Sequence, residues 1–192
     1  MRALVLAGAL ASLAACSTVP TASPRAAASA PTEVRDNLEL SGQIAVHYQH
    51  NEQPQHISGT YTWVQRGADV DVTLRSPLGQ TVAAIKVTPA QATLQQSGQA
   101  PRSAASITQL TTEVLGWPLP VAGLRDWLQG RATDAQGKPY VATPAAPNVT
   151  TADGWRITWV WSDGALRRLD LAHDMPGQEA PLTLRITIVE AG

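Results

Sequence analysis

From about residue 38 the chain alternates apolar and polar positions with a period of two. Ile44, Val46 and Tyr48 alternate with Ala45, His47 and Gln49. Residues 51–55 read as a turn, after which Ile57, Tyr61 and Trp63 share a face with Gly59 between them. Gly67-Ala68-Asp69 reads as the next turn, and Val70, Val72 and Leu74 then alternate with Asp71, Thr73 and Arg75. Successive side chains of a strand point to opposite faces, so this is the pattern of half-buried strands joined by tight turns, an antiparallel meander. Two further short strands are expected over 81–88 and 92–97, and a short helix over 33–38.

Residues 103–130 break the rhythm. Ile107, Leu110, Val114 and Leu115 recur at helical spacing behind a candidate cap at Ser103 or Ser106, and Gly116 ends that helix. Pro120 suits the first turn of a second helix, where its missing N–H would be unpaired in any case. Val121, Leu124, Trp127 and Leu128 make one apolar stripe there, and Gly130 reads as the stop. Residues 131–151, rich in Pro, Ala and Thr, read as loop with one or two short strands.

Period two then returns. Trp155, Ile157, Trp159 and Trp161 take one face, Leu169 and Leu171 share a face after the Ser162-Asp163-Gly164 turn, and Leu182, Leu184, Ile186 and Ile188 alternate to the end. The sum is about nine strands around two helices. One-sided strands need cover for their apolar face. The helices, and the sheet's own curling, are what the chain offers. The fold class is therefore mainly β with helices (α+β): an open, strongly curved antiparallel half-barrel wrapped around helices.

The first residues carry a different signal. Arg2 is followed by thirteen uncharged, mostly apolar residues, too short for a helix spanning a bilayer, which needs about 20. This length suits a secretory signal. The run ends Leu13-Ala14-Ala15-Cys16, which resembles the lipobox of bacterial lipoproteins, and Cys16 is the single cysteine of the chain. That resemblance implies cleavage before Cys16, three acyl chains on it as lipid anchor, and, with Ser17 rather than Asp next, sorting to the periplasmic face of the outer membrane. Two or more chains make a stable anchor where one is marginal. The division expected is 1–15 signal peptide, 16–32 lipidated N-terminus and tether, and 33–192 folded domain.

Composition narrows the function classes. A net charge of -1 with no long basic run gives no reason to expect a nucleic-acid partner. The sequence has no Gly-x-Ser-x-Gly, no His-Glu-x-x-His and no phosphate-cradling glycine loop, so no enzyme, catalytic residue or cofactor is expected. His47 and His50, three apart on one strand, point to opposite faces, so no metal site is expected either. Phe is absent while Trp occurs six times. Large, amphipathic rings suit broad apolar walls, so the domain could enclose a ligand cavity; a filled core is the ordinary alternative, and would make the chain a structural or scaffolding lipoprotein.

Several phrases of the domain resemble the LolB family of outer-membrane lipoprotein receptors. They are Leu40-Ser41-Gly42-Gln43-Ile44-Ala45-Val46, Gly59-Thr60-Tyr61-Thr62-Trp63, Leu74-Arg75-Ser76-Pro77-Leu78-Gly79-Gln80-Thr81, Leu119-Pro120-Val121, Leu124-Arg125-Asp126-Trp127-Leu128-Gln129-Gly130 and Gly154-Trp155-Arg156-Ile157. Their order runs through residues 38–189. The resemblance implies a curved antiparallel barrel of about eleven strands with an apolar cavity, closed by helices. It implies a monomer that accepts acylated lipoproteins from the periplasmic carrier LolA, holds their acyl chains, and places them in the phospholipid of the outer membrane. The loop Pro77, Leu78 and Gly79 would enter that membrane. Trp63, Leu74, Leu110, Leu124, Trp127, Leu128, Trp155, Trp159 and Ile186 are the residues expected to face the interior and supply the lipid cavity. The chain departs from many relatives in lacking Phe and in stopping at Glu190-Ala191-Gly192, which bears on its last strand.

Overall fold

The computed structural model describes residues 34–191. The expected cleavage site, Cys16 and the tether lie outside the described residues. Twelve strands and two helices are present among those described, three strands more than the alternation predicts. β1 (Asn37–His50) and β2 (Gln53–Arg66) form a long hairpin, followed by β3 (Asp69–Arg75), β4 (Thr81–Val87), β5 (Ala92–Gln96) and β6 (Arg102–Ala104). Helices α1 (Ile107–Leu115) and α2 (Val121–Trp127) come next. β7 (Arg131–Thr133), β8 (Pro139–Val141) and β9 (Asn148–Thr150) occupy the stretch read as loop with one or two short strands, and β10 (Arg156–Ser162), β11 (Ala165–His173) and β12 (Leu182–Ala191) follow.

Ten strands make one open antiparallel sheet in the order β6-β5-β4-β3-β2-β1-β12-β11-β10-β9, with β7–β8 a separate hairpin. The first and last strands pair in the middle of the sheet, so the sheet runs outward from them in both directions. The helices lie in sequence between the two wings. The sheet does not close into a barrel.

Two glycines let the sheet bend. A Cβ on Gly42 would stand 1.8 Å from the Thr187 carbonyl oxygen, and one on Gly59 would stand 2.1 Å from that of Arg75. No residue with a side chain fits either place. Gly42 lies at the Ser41/Gly42 register shift between β1 and β12, and Gly59 lies one residue beyond the Thr60–Arg75 pair, next to the point where β3 shifts register against β4. An extra residue in one strand of a pair bends and twists it, and this is how a sheet curls over what it covers.

The β1–β2 turn is tighter than the expected 51–55. Asn51 and Glu52 alone make it, with φ of 52° and 62°, so the strands run on to His50 and from Gln53. Two successive left-handed residues match the right-handed twist of hairpin arms. The helix expected over 33–38 is not formed among its described residues. Asn37 already belongs to β1, where Leu38 and Leu40 are buried and Asn37 and Glu39 exposed, the period of a strand. Buried Gln129 ties down the chain that enters β1: its Oε1 accepts from the Arg35 N–H at 2.7 Å, and its Nε2 donates to the carbonyl oxygens of Arg35 (3.2 Å) and Arg125 (3.0 Å).

Ser106, the nearer of the two candidate caps, begins α1; its Oγ accepts from the Gln109 N–H at 3.4 Å. Gly116 ends α1 in the left-handed conformation. Pro120 caps α2, and its stripe of Val121, Leu124, Trp127 and Leu128 is buried as expected. Leu128 rather than Gly130 is the C-cap; Gly130 closes the following turn by donating to the Trp127 carbonyl at 3.0 Å.

Under β10–β12 the interior is filled. Trp155, Ile157, Trp159, Leu169, Leu171, Leu182 and Leu184 are buried, and the rings of Trp127 and Trp155 meet at 5.8 Å. Trp161 is only half-buried, because the register shifts between Val160 and Trp161. The Trp159 indole donates from Nε1 to the Trp127 carbonyl oxygen at 2.7 Å, joining the sheet to the end of α2. Trp159→Phe is predicted to keep the fold but lower stability by about 0.5–1.5 kcal/mol, the net worth of one hydrogen bond, since the Trp127 carbonyl keeps the Gly130 N–H. A urea titration measures this, and an unchanged midpoint would show that the bond contributes nothing.

An apolar cavity beside an exposed leucine

The other wing is hollow. A cavity of about 170 Å³ lies between β1–β5 and the helical segment. Alternation of the strands aims Ile44 and Val46 of β1, Tyr61 and Trp63 of β2, Val72 and Leu74 of β3, and Ala83 of β4 into it. Ile186 reaches it from β12. Trp117 and Leu119, between the helices, and Leu124 and Leu128 of the α2 stripe form its other wall. Among the described residues no charged side chain lines it. Burial pushes the Tyr61 phenol pKa above its ordinary value, so the group stays neutral and keeps its proton.

Two larger depressions, of 570 and 370 Å³, lie on the opposite, polar face of the sheet. They contain His47, Arg156, Asp170 and Arg185, and Asp170 is held there between Arg168 (3.0 Å) and Arg185 (2.7 Å). These are solvated grooves with paired charges. Volume alone is a poor guide; chemistry separates the small apolar cavity from them. His47 lies flat against His56 at 4.3 Å on this outer face, and His50 is exposed.

Of the nine expected interior residues, Trp63, Leu74, Leu124, Leu128 and Ile186 line the cavity; Leu110, on the α1 helix that packs against β5 and β6, and Trp127, Trp155 and Trp159 are buried without lining it. Ile44, Val46, Tyr61 and Val72, on faces that the alternation makes apolar, line the cavity although they are not among the nine. Trp117, also absent from the nine, sits in the non-periodic link between the helices. Its one local signal is a large ring lodged between the stop at Gly116 and Pro118.

At the mouth, Ile57 and Val82 both line the cavity and are 43 % and 47 % exposed. Beside them runs the β3–β4 loop. The Ser76 carbonyl accepts from the Gly79 N–H at 2.9 Å, Pro77 fixes φ, and Gly79 takes the left-handed φ of 83° that the return to β4 needs. This tight turn leaves Leu78 at its tip, 89 % exposed. With the exposed Ile57 and Val82 it groups apolar side chains about one opening, and it is such grouping, not a single exposed leucine, that points to a surface met in function.

The family model for the outer membrane lipoprotein LolB matches residues 36–190. The chain belongs to the LolB family. It is 38 % identical over 157 residues to the outer-membrane lipoprotein LolB of Cupriavidus necator, an alignment covering 78 % of each chain. It is 37 % identical to that of Ralstonia nicotianae, covering 97 % of this chain and 94 % of the relative. A LolA superfamily protein of Nitrosomonas europaea aligns over 81 % of this chain and 85 % of its own, with a TM-score of 0.35 and 8 % identity. As a LolB-family member the chain falls among lipoprotein-localisation proteins.

Proposed function

We propose that this LolB-family chain is an outer-membrane lipoprotein receptor, which takes the acyl chains of lipoproteins from the periplasmic carrier LolA into its cavity and delivers them to outer-membrane phospholipid. The observation that carries the reading is a charge-free cavity whose mouth, at Ile57 and Val82, opens beside the exposed Leu78. A triacylated cargo with roughly forty methylenes costs on the order of 30 kcal/mol to expose to water, at ~0.8 kcal/mol each. Transfer therefore has to run from one apolar enclosure to the next and then into bilayer. A cavity of 170 Å³ is smaller than the ~300–1,000 Å³ of ordinary ligand sites, so it widens as chains enter. The helical wall, which is not part of the sheet's hydrogen-bonded ladder, is the side that yields.

In this reading the signal peptide is residues 1–15, Cys16 carries the anchor, and 16–32 tether the domain. The tether enters at Arg35, close to the β2–β3 turn, where Gly67 donates to the Asp36 carbonyl at 2.9 Å. Leu78 lies at the other end of the seven-residue β3, about 20 Å away at ~3.3 Å per residue. The nineteen steps from Cys16 to Arg35 can reach at most about 65 Å, so the anchor and Leu78 can meet one membrane together.

A variant lacking residues 1–16 separates cavity from anchor. Incubated with LolA carrying a lipoprotein, it is predicted to take the cargo, scored by pull-down on each protein. Cargo that stays on the carrier would favour the structural lipoprotein instead.

A further inference from the structure

The end of the sheet that carries Leu78 differs in charge from the rest of the molecule. None of the chain's 15 acidic residues falls within residues 72–112, although that stretch holds Arg75, Lys86 and Arg102. It supplies both loops at this end of the sheet, 76–80 between β3 and β4 and 97–101 between β5 and β6. The Ser97 N–H donates to the Val82 carbonyl oxygen at 3.0 Å, so the second loop starts beside the cavity mouth, and neither loop carries a charge. Elsewhere on the outer face cations are matched by carboxylates. Lys86 meets Asp71 at 3.6 Å, Arg156 meets Asp174 at 2.7 Å, and Arg168 and Arg185 share Asp170.

Arg75 stands outside these pairs. It ends β3 at the foot of the Leu78 loop, which the Ser76 N–H closes by donating to the Gln80 carbonyl oxygen at 2.8 Å. Its Nη1 donates to Thr62 Oγ1 at 3.2 Å, and Thr62 alternates with inward Tyr61 and Trp63, so the guanidinium lies on the outer face. That is one bond of the five a guanidinium can make. Among the described residues no carboxylate lies within ion-pair reach of it. Three residues of chain separate Arg75 from Leu78, at most about 10 Å. The headgroup layer of a bilayer is about 5–7 Å deep on each side of the hydrocarbon. With Leu78 in hydrocarbon, Arg75 therefore stands at or just above the phosphates, and its long side chain spans the remainder. Arg102 does not. It is level with Leu94 and Ile85, four ladder positions, or about 13 Å, further from the loop than Thr81, the partner of Arg75.

We propose that Arg75 is a phospholipid headgroup contact: as Leu78 enters the bilayer, the Arg75 guanidinium binds the phosphate of an adjoining lipid, and the carboxylate-free loops beside it make this face favour anionic bilayers. The inference rests on the membrane delivery proposed above. A guanidinium presents a planar fork of donors that matches phosphate oxygens, and at this site it has no competing carboxylate to leave. Leucine sets the depth of entry and arginine holds the charge at the level of the headgroups, so the two together keep the cavity mouth at one height over the lipid.

The test is cosedimentation of the variant lacking residues 1–16 with two kinds of vesicle, phosphatidylcholine alone and phosphatidylcholine mixed with phosphatidylglycerol. Binding to the mixed vesicles should be about fivefold tighter at low salt, the worth of one arginine near an anionic surface, and the ratio should shrink as added salt shortens the screening length. Arg75→Gln should bring the ratio close to one with thermal stability unchanged. Arg102→Gln removes the same charge beyond a screening length and should leave the ratio nearly as it was. Leu78→Ser, which changes no charge, should weaken binding to both vesicles alike and keep the ratio. A ratio of one in the unsubstituted protein, or one unaltered by Arg75→Gln, would overturn the headgroup contact and leave the Leu78 insertion standing. Equal losses from Arg75→Gln and Arg102→Gln would overturn it too, by showing that overall charge sets the preference. Binding unaffected by Leu78→Ser but sensitive to Arg75→Gln would keep the contact and overturn the insertion. Binding to neither vesicle would overturn both.

Discussion

Leu78→Glu is expected to leave acceptance of lipoprotein intact and to slow its release into liposomes about 10- to 100-fold, matching the ~1.5–3 kcal/mol of burying one leucine side chain. The expectation follows from where the side chain stands. At 89 % exposed it contributes almost nothing to the core, so its replacement should not disturb the fold. It does not line the cavity, so the acyl chains should still enter. What changes is the encounter with the bilayer. A leucine entering hydrocarbon orients the neighbouring mouth toward lipid and keeps the chains out of water as they leave, whereas a carboxylate at that tip resists entry. The energy is too small to anchor a protein, but enough to set how often a productive contact forms. A two-step assay, carrier to this protein and then protein to liposomes, reads acceptance and release separately. Loss of acceptance or of thermal stability with normal release would place Leu78 in the core and end the insertion role.

How much of this was legible beforehand follows from what each signal measures. Alternation reports which side of a strand is apolar, and it located β1–β5 and β10–β12 because their inward positions bury one residue in two. It allowed one or two short strands in 131–151 without locating them, because β7, β8 and β9, of three residues each, are too short to show a period. It began β1 at about 38, close to the observed Asn37, and failed only in the helix expected over 33–38, where so few residues fit a helix or an extended lead-in equally well. The Pro77-Leu78-Gly79 tip was legible as turn chemistry, since both flanking residues restrict or require particular φ values. The division of the interior was not. Trp63 and Trp159 look alike along the chain; one faces a cavity and the other is packed, and the difference lies in a bond from Trp159 to a carbonyl thirty-two residues away. Likeness to the LolB family supplied the expectation of a hollow, and only the three-dimensional arrangement assigned it to the β1–β5 wing.

That division makes Leu124 the residue whose substitution separates cavity from core most sharply. It is 4 % exposed on α2 and faces the cavity with Leu128, Trp117 and Leu119. Leu124→Ala and Leu124→Asn are predicted to fail in different ways. Alanine removes three carbons and should cost about 2–5 kcal/mol of stability, the range for a buried leucine truncated in this manner. It enlarges the space, however, and an acyl chain can occupy what was lost, so the folded fraction should still accept lipid nearly as well. Asparagine keeps much of the bulk and places an amide in a wall without charge. In the empty protein water entering at the mouth can solvate that amide. An acyl chain expels the water and offers only methylenes in return, so the penalty of an unsatisfied polar group, about 1–3 kcal/mol, falls on binding. Acceptance by the asparagine variant should therefore drop about 10- to 100-fold below that of alanine, by the same energy. Urea titration and transfer from the carrier, measured on the same two preparations, test the split. Losses of acceptance that merely track the loss of stability would show that Leu124 packs core and does not touch lipid.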